Sequence, residues 1–150
     1  MGKKRVIVKS KEELLKETEK VESKVEKEYL PSTKKKIKEG RIYIFSTFNN
    51  TIITLTNLNG DVVSWVSAGK IGFKGTKKAT PFAASKVAGV ISQIAEKLGI
   101  KEIEIKVKGI GAGRDSALRF FSSKGFDIKS IQDITPIPHN GCRLPKPRRV

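Results

Sequence analysis

At 150 residues, with 31 basic against 15 acidic side chains, the chain carries a formal net charge of +16. That length supports one compact core with appendages and is too short to argue for two independent cores. The charge is well beyond what solubility requires and asks for a polyanionic partner, nucleic acid being the usual one. A single cysteine, Cys142, excludes an intramolecular disulfide, and MGKKRVIVKS has no apolar stretch for a secretory signal. Val6 breaks the myristoylation pattern, and no apolar run approaches the roughly 18 residues of a membrane span. The expectation is a soluble intracellular protein in a reducing compartment.

Charge and composition divide the chain into a charged arm over 1–38, a core over 39–138 and a tail over 139–150. Their net charges are +6, +6 and +4, so the tail is much the densest segment. Within the arm, residues 10–29 are rich in Glu and Lys, with only Leu14, Thr18, Val21 and Val25 recurring at helical spacing. That stripe is too short for a coiled coil and fits either a solvated or partner-induced helix or disorder. Pro31 and the lysines after it mark a linker.

From Arg41 the pattern becomes β-rich. Strands are predicted at about 41–48, 51–57 and 62–68, joined at Asn49-Asn50 and Asn59-Gly60, dipeptides that tolerate the positive φ of tight hairpins. GKIGFKGTKKATP follows as a Gly and Lys loop, closed by Thr80 as N-cap and Pro81 at the first helical position. A helix then runs to Leu98, burying Ala83, Val87, Val90, Ile91, Ile94 and Leu98, with Gly99 as its stop. KEIEIKVK alternates Ile103, Ile105 and Val107 with charged residues and predicts a strand with one wet face. GIGAGRDSALRFFSSKG reads as a glycine loop and short helix, and FDIKSIQDIT as a last strand, parallel to its predecessor. The sum is an α/β layered fold with a mixed five-stranded sheet: an antiparallel three-strand meander plus a parallel strand-helix-strand unit, of ribonuclease-H-like topology.

Three constellations bear on function. KGIGAGRDS sets three glycines between a strand and a helix N-terminus, where amides and the helix dipole favour an anion. Its G-x-G-x-G spacing matches neither the dinucleotide fingerprint nor a P-loop. A mononucleotide site, a plain tight turn and contact with RNA phosphates all fit, and Arg114 favours the last. The loop 69–78 holds Lys70, Lys74, Lys77 and Lys78 without an acid, and is either a solvated face or a phosphate contact. Phe73 among them can stack on a base or pin the loop to the core. The tail HNGCRLPKPRRV contains two prolines, which keep it extended, and four cations to neutralise phosphates. By the single-strand counterion slope, four such contacts weaken binding roughly fifty-fold between about 50 and 200 mM salt.

Other chemistries lack their residues. His139 and Cys142 are the chain's only His and Cys, too few for a zinc site. Ser116 has no His partner and orienting acid, and the first two strands contain no carboxylate for a metal-dependent nuclease. Asp115 reads as a helix cap and Asp133 as a strand-end residue. No cofactor or small-molecule substrate is expected. Asn140-Gly141 invites succinimide formation and slow isoaspartate, because glycine leaves the attacking backbone nitrogen unshielded.

FNNTIITLTNLNGDVVSWVSAGKIGFKG, ATPFAAS, KGIGAGRDSALR and DITPIPHNGCR occur in order and at family spacing. Together they resemble the bacterial-type form of small-subunit ribosomal protein eleven, over about residues 40–150. The resemblance implies a structural role in the cytoplasmic ribosome: binding ribosomal RNA on the platform of the small subunit, bridging its helices and lining the messenger RNA exit path. It implies neighbours in ribosomal proteins seven and eighteen, with initiation factor three acting close by, and no membrane. Carried onto this chain, the RNA-facing residues would be Asn49, Asn50, Lys70, Phe73, Lys74, Lys77, Lys78, Arg114, His139, Asn140, Arg143, Lys146, Arg148 and Arg149. Leu144 and Pro147 depart from the family's usual tail, Lys70 stands where glycine is frequent, and residues 1–38 exceed the usual arm. The rival readings are a free-standing RNA-binding regulator and a nucleotide-dependent RNA enzyme using the glycine loop.

Overall fold

The computed structural model describes residues 37–143 and 145–146. The reading of a helix over 10–29, and the tail residues Arg148 and Arg149, fall outside these. Alternating apolar residues make β1 (Glu39–Ser46) and β2 (Thr51–Thr56), which pair antiparallel with Ile44 opposite Ile53. The strand β3 (Val62–Ser67) pairs antiparallel with β2. The turn between them closes with Gly60 at φ 96°, as the Asn-Gly dipeptide predicts.

The first turn departs from expectation. Among the described residues Asn140 alone shows positive φ outside glycine, so Asn49 and Asn50 do not use it. Instead the Thr47 hydroxyl accepts from the amides of Asn49 and Asn50 and donates to the Asn50 carbonyl. A threonine side chain closing its own turn removes the need for left-handed backbone. Thr47 and Phe48 belong to this turn, so β1 ends two residues before the predicted limit.

The lysine segment, expected as a loop, holds a one-turn helix α1 (Ala68–Ile71) and a 3₁₀ turn (Gly75–Ala79). Both are too short for periodicity to reveal. Next comes α2 (Pro81–Leu98), where the Thr80 hydroxyl accepts from the Ala83 amide at 3.3 Å and Gly99 closes the last turn. It buries a wider face than one stripe, adding Ala84, Ala88, Ser92 and Ala95 to the predicted set. The reason is that it packs against both the sheet and α3 (Gly113–Ser123), and small residues allow the close approach. A Cβ on Gly89 would stand 3.4 Å from the Phe120 ring.

The parallel unit is β4 (Glu102–Lys108), α3 and β5 (Asp127–Asp133). The sheet order is β3-β2-β1-β4-β5, with β1 parallel to β4 and β4 parallel to β5. That is the expected five-stranded mixed sheet, with the meander's first strand at its centre. Ile42, Ile44, Ile53, Leu55, Val66, Ile103, Ile105 and Val107 point into one core with Val87, Ile91, Ile94 and Phe121. Each such buried aliphatic side chain stabilises by about 1.5–3 kcal/mol. The opposite face of the sheet, carrying Arg41, Tyr43, Phe45 and Trp65, is left uncovered by the described helices.

Candidate nucleic-acid interface

Strand direction decides where the predicted features meet. β1, β3, β4 and β5 all run the same way. The β1–β2 turn, the lysine segment after β3, the glycine loop after β4 and the tail after β5 therefore all leave from their carboxyl ends. Open α/β sheets bind ligands at that end, and the N-termini of α2 and α3 lie there too, with their dipoles favouring anions.

The glycine loop is built into this end by close packing. A Cβ on Gly109 would press into the Ser46 carbonyl oxygen, well under the 3.0 Å that real contacts respect. One on Gly111 would meet the Thr47 carbonyl oxygen and the Ser46 hydroxyl, and one on Gly113 would meet the Thr51 hydroxyl and Ala84. The Gly111 amide donates to the Ser46 carbonyl at 3.2 Å. The glycines thus let the loop lie directly on the β1–β2 turn, the tight-turn alternative among the sequence readings.

Arg114 is also occupied within the fold. Its guanidinium pairs with Asp133 at 2.9 Å and donates to the Gly109 carbonyl at 3.2 Å. Asp133 also accepts from the Thr135 hydroxyl at 2.6 Å and the Thr135 amide at 2.9 Å. Those two bonds, then Arg114, hold its carboxyl at about 2, below its ordinary 3.8. The Thr135 hydroxyl in turn receives the Gly109 amide at 3.0 Å. This network fixes the direction in which the tail departs. Asp133 is therefore a strand-end residue, as expected. Asp115 sits in the first turn of α3 but makes no capping hydrogen bond, and the cap position is Ala112.

The lysine segment presents charge on a pinned frame. Lys70, Lys74 and Lys77 are exposed and Lys78 is half-buried. Phe73 packs against the core and meets Phe82 edge to face at 6.1 Å, so of its two readings the structure gives it the anchoring one. Asn49 is exposed at the turn, while Asn50 is partly buried and bonds the Thr51 amide through its side chain. His139, Asn140, Arg143 and Lys146 are exposed along the tail, with Asn140 at φ 56°.

Two features escaped the sequence. Phe48, read as the last residue of a strand, sits in the β1–β2 turn with 75% of its surface exposed. Three lysines lie over aromatic rings on the open sheet face: Lys70 over Trp65, Lys106 over Tyr43 and Lys108 over Phe45, at 5.1, 5.9 and 5.7 Å. Alternation gave the side of the strand for Lys106 and Lys108, but their pairings need the cross-strand register, and that of Lys70 needs the one-turn helix after β3.

A family model described as Ribosomal protein S11 matches residues 40–149. The small ribosomal subunit protein uS11 of Desulfotalea psychrophila is 54% identical over 117 residues, spanning 78% of this chain and 93% of that protein. Its counterpart in Treponema pallidum strain Nichols matches to the same extent and identity. The small ribosomal subunit protein uS11c of Phaeodactylum tricornutum is 59% identical over 111 residues, or 74% of this chain and 85% of that protein.

Proposed function

The chain belongs to the ribosomal protein S11 family, and from that premise we propose that it binds ribosomal RNA on the platform of the small subunit through the carboxyl end of its sheet. It is a structural, non-catalytic constituent of the small ribosomal subunit. In the finer reading, the lysine segment and the tail neutralise phosphates of neighbouring RNA helices, while the β1–β2 turn approaches the RNA beside them. Bridging those helices, the protein lines the path by which messenger RNA leaves, the Shine-Dalgarno cleft. Ribosomal proteins seven and eighteen adjoin it, and initiation factor three acts close by.

The observation that carries this reading is the convergence of four separate chain segments on one end of the sheet. Lys70, Lys74, Lys77, Lys78, Arg143 and Lys146 leave from that end, and residues 69–80 contain no acid. The domains follow the same logic: a rigid core over 39–138 aims an extended tail, which reaches phosphates where no globular surface fits.

Reconstitution tests this directly. Small subunits assembled with the double variant Arg148→Glu, Arg149→Glu should incorporate it less, while its thermal unfolding matches the parent protein. Equal incorporation through a high-salt wash would count against the tail as an RNA contact. Loss of even the parent protein in that wash would count against the whole placement.

A further inference from the structure

The face of the sheet turned away from the helices carries three rings, each with a lysine over it. Lys106 and Lys108 reach Tyr43 and Phe45 straight across from β4, where they are the register partners of those residues. Lys70 reaches Trp65 from the one-turn helix that follows β3. Trp65 is 50% and Phe45 40% exposed, and Tyr43 is half-buried.

Acids border this patch without entering it. The rows of the sheet that pass through Tyr43 and Phe45 contain no carboxylate. Glu104, Glu102 and Glu39 stand on the same face in the rows toward the amino ends of β1 and β4. Their charge is met there, Glu104 by Arg41 at 2.7 Å and the other two by Lys129. The carboxyl half of the face is left with rings and cations alone.

That combination selects among partners. An acidic peptide would answer the lysines and leave the rings, and an apolar surface would answer the rings and leave the lysines. A single-stranded nucleotide chain answers both, a base on each ring and a phosphate on each ammonium. An ammonium over an exposed ring is a weak contact, and a base stacked on the ring is a stronger one. A base that displaces a lysine also frees that ammonium for the adjoining phosphate. Tyr43 and Phe45 stand about 7 Å apart along one strand, and Trp65 lies about 10 Å from Tyr43 across two strands. Sheet faces with rings so placed stack two or three bases. Continuity points the same way, because Lys70 is both the partner of Trp65 and the first cation of the lysine segment.

We propose that the carboxyl half of the open sheet face is a stacking platform for two or three unpaired RNA nucleotides, with bases on Trp65, Tyr43 and Phe45 and phosphates on Lys70, Lys106 and Lys108. This rests on RNA being the partner, and it adds a second surface beside the carboxyl end of the sheet.

The test titrates the full chain with single-stranded oligoadenylate and follows the fluorescence of Trp65, the chain's only tryptophan. Saturable quenching is expected, and poly-glutamate of matched charge should have little effect. The double variant Tyr43→Leu, Phe45→Leu should bind about tenfold more weakly or worse, with the salt slope of the parent. Lys106→Gln with Lys108→Gln alters only the lysines and should lower that slope by about 1.4, at about 0.7 for each single-strand phosphate released. Circular dichroism of each variant separates loss of binding from loss of fold. RNA bound with Trp65 fluorescence unchanged would overturn the inference and leave the carboxyl-end reading standing. Equal quenching by poly-glutamate would overturn it too, and would give the face to an acidic protein segment. If Lys74→Gln, Lys77→Gln and Lys78→Gln together kept the parent's salt slope for ribosomal RNA while Trp65 was still quenched, this face would stand and the carboxyl-end reading would fall.

Discussion

Replacing Gly109 by alanine should cost far more stability than replacing Gly125, although the two glycines share a backbone conformation. Their φ angles are 95° and 78°, so each added methyl carries the same left-handed penalty of about 1–2 kcal/mol. Their surroundings differ. Nothing lies within 4 Å of a Cβ on Gly125, whereas one on Gly109 would drive into the Ser46 carbonyl oxygen, a backbone atom that cannot swing aside. Relief requires moving the end of β1 off the glycine loop, which overpacking data put at about 1–3 kcal/mol. It also weakens the hydrogen bond from Gly111 to Ser46, worth about 1 kcal/mol more. The excess over Gly125→Ala is then about 2–4 kcal/mol, and at about 4–8 °C per kcal/mol for a domain of this size the two Tm values should differ by about 10–30 °C. Calorimetry of the two variants in parallel decides the point. Melting within a few degrees of each other would mean that the loop does not depend on close packing, and its glycines would again need an anion to explain them.

Acid should expose the Asp133 network. Its carboxyl titrates at about 2 in the fold against 3.8 ordinarily, so its contribution is complete above the ordinary value and drains as pH falls toward about 2. Asp133→Asn should remove that part of the pH dependence, visible as a flatter urea midpoint between about pH 4 and 2; an unchanged slope would refute the assignment. Lys74→Gln, Lys77→Gln and Lys78→Gln together should reduce the salt slope for ribosomal RNA fragments by about 2–3, at about 0.7–0.9 for each phosphate no longer neutralised, with circular dichroism unchanged. A salt slope equal to the parent's would make the segment a solvated face. Peptide mapping after ageing at neutral pH should find isoaspartate at Asn140, which is exposed and followed by Gly141; an intact residue would end that expectation.

What could be read from the sequence was what local chemistry determines. Thr80, Pro81 and Gly99 bracket α2 because capping is decided within four residues of each end. Ile103, Ile105 and Val107 announce a half-buried strand because side chains alternate with period two. What could not be read came where a distant or unrecognised partner decides. The ion pair of Arg114 was hidden because Asp133 is 19 residues away, and only the β5 position brings the two together. The glycines of 109–113 looked like a cradle because the turn they pack against lies some 60 residues earlier. Asn49-Asn50 looked like a positive-φ turn because the hydroxyl that closes it belongs to Thr47, inside what periodicity reads as strand.

The same network explains how a strongly basic domain can point its charge. Among the described residues, four acids of the core sit in ion pairs with three cations: Glu104 with Arg41 at 2.7 Å, Glu39 and Glu102 with Lys129, and Asp133 with Arg114. Three of those acids, Glu39, Glu102 and Glu104, lie toward the amino ends of β1 and β4, where they lower the local field. Glu104 is held below its usual value by the hydrogen bond from Arg41, and Lys129 above its usual value by Glu102 and then Glu39. The lysine segment and the tail leave from the opposite end, with Asp133 the strand-end acid there and Arg114 already on it. The Gly109 amide on the Thr135 hydroxyl, in a loop locked onto the β1–β2 turn, holds the start of the tail at that same end.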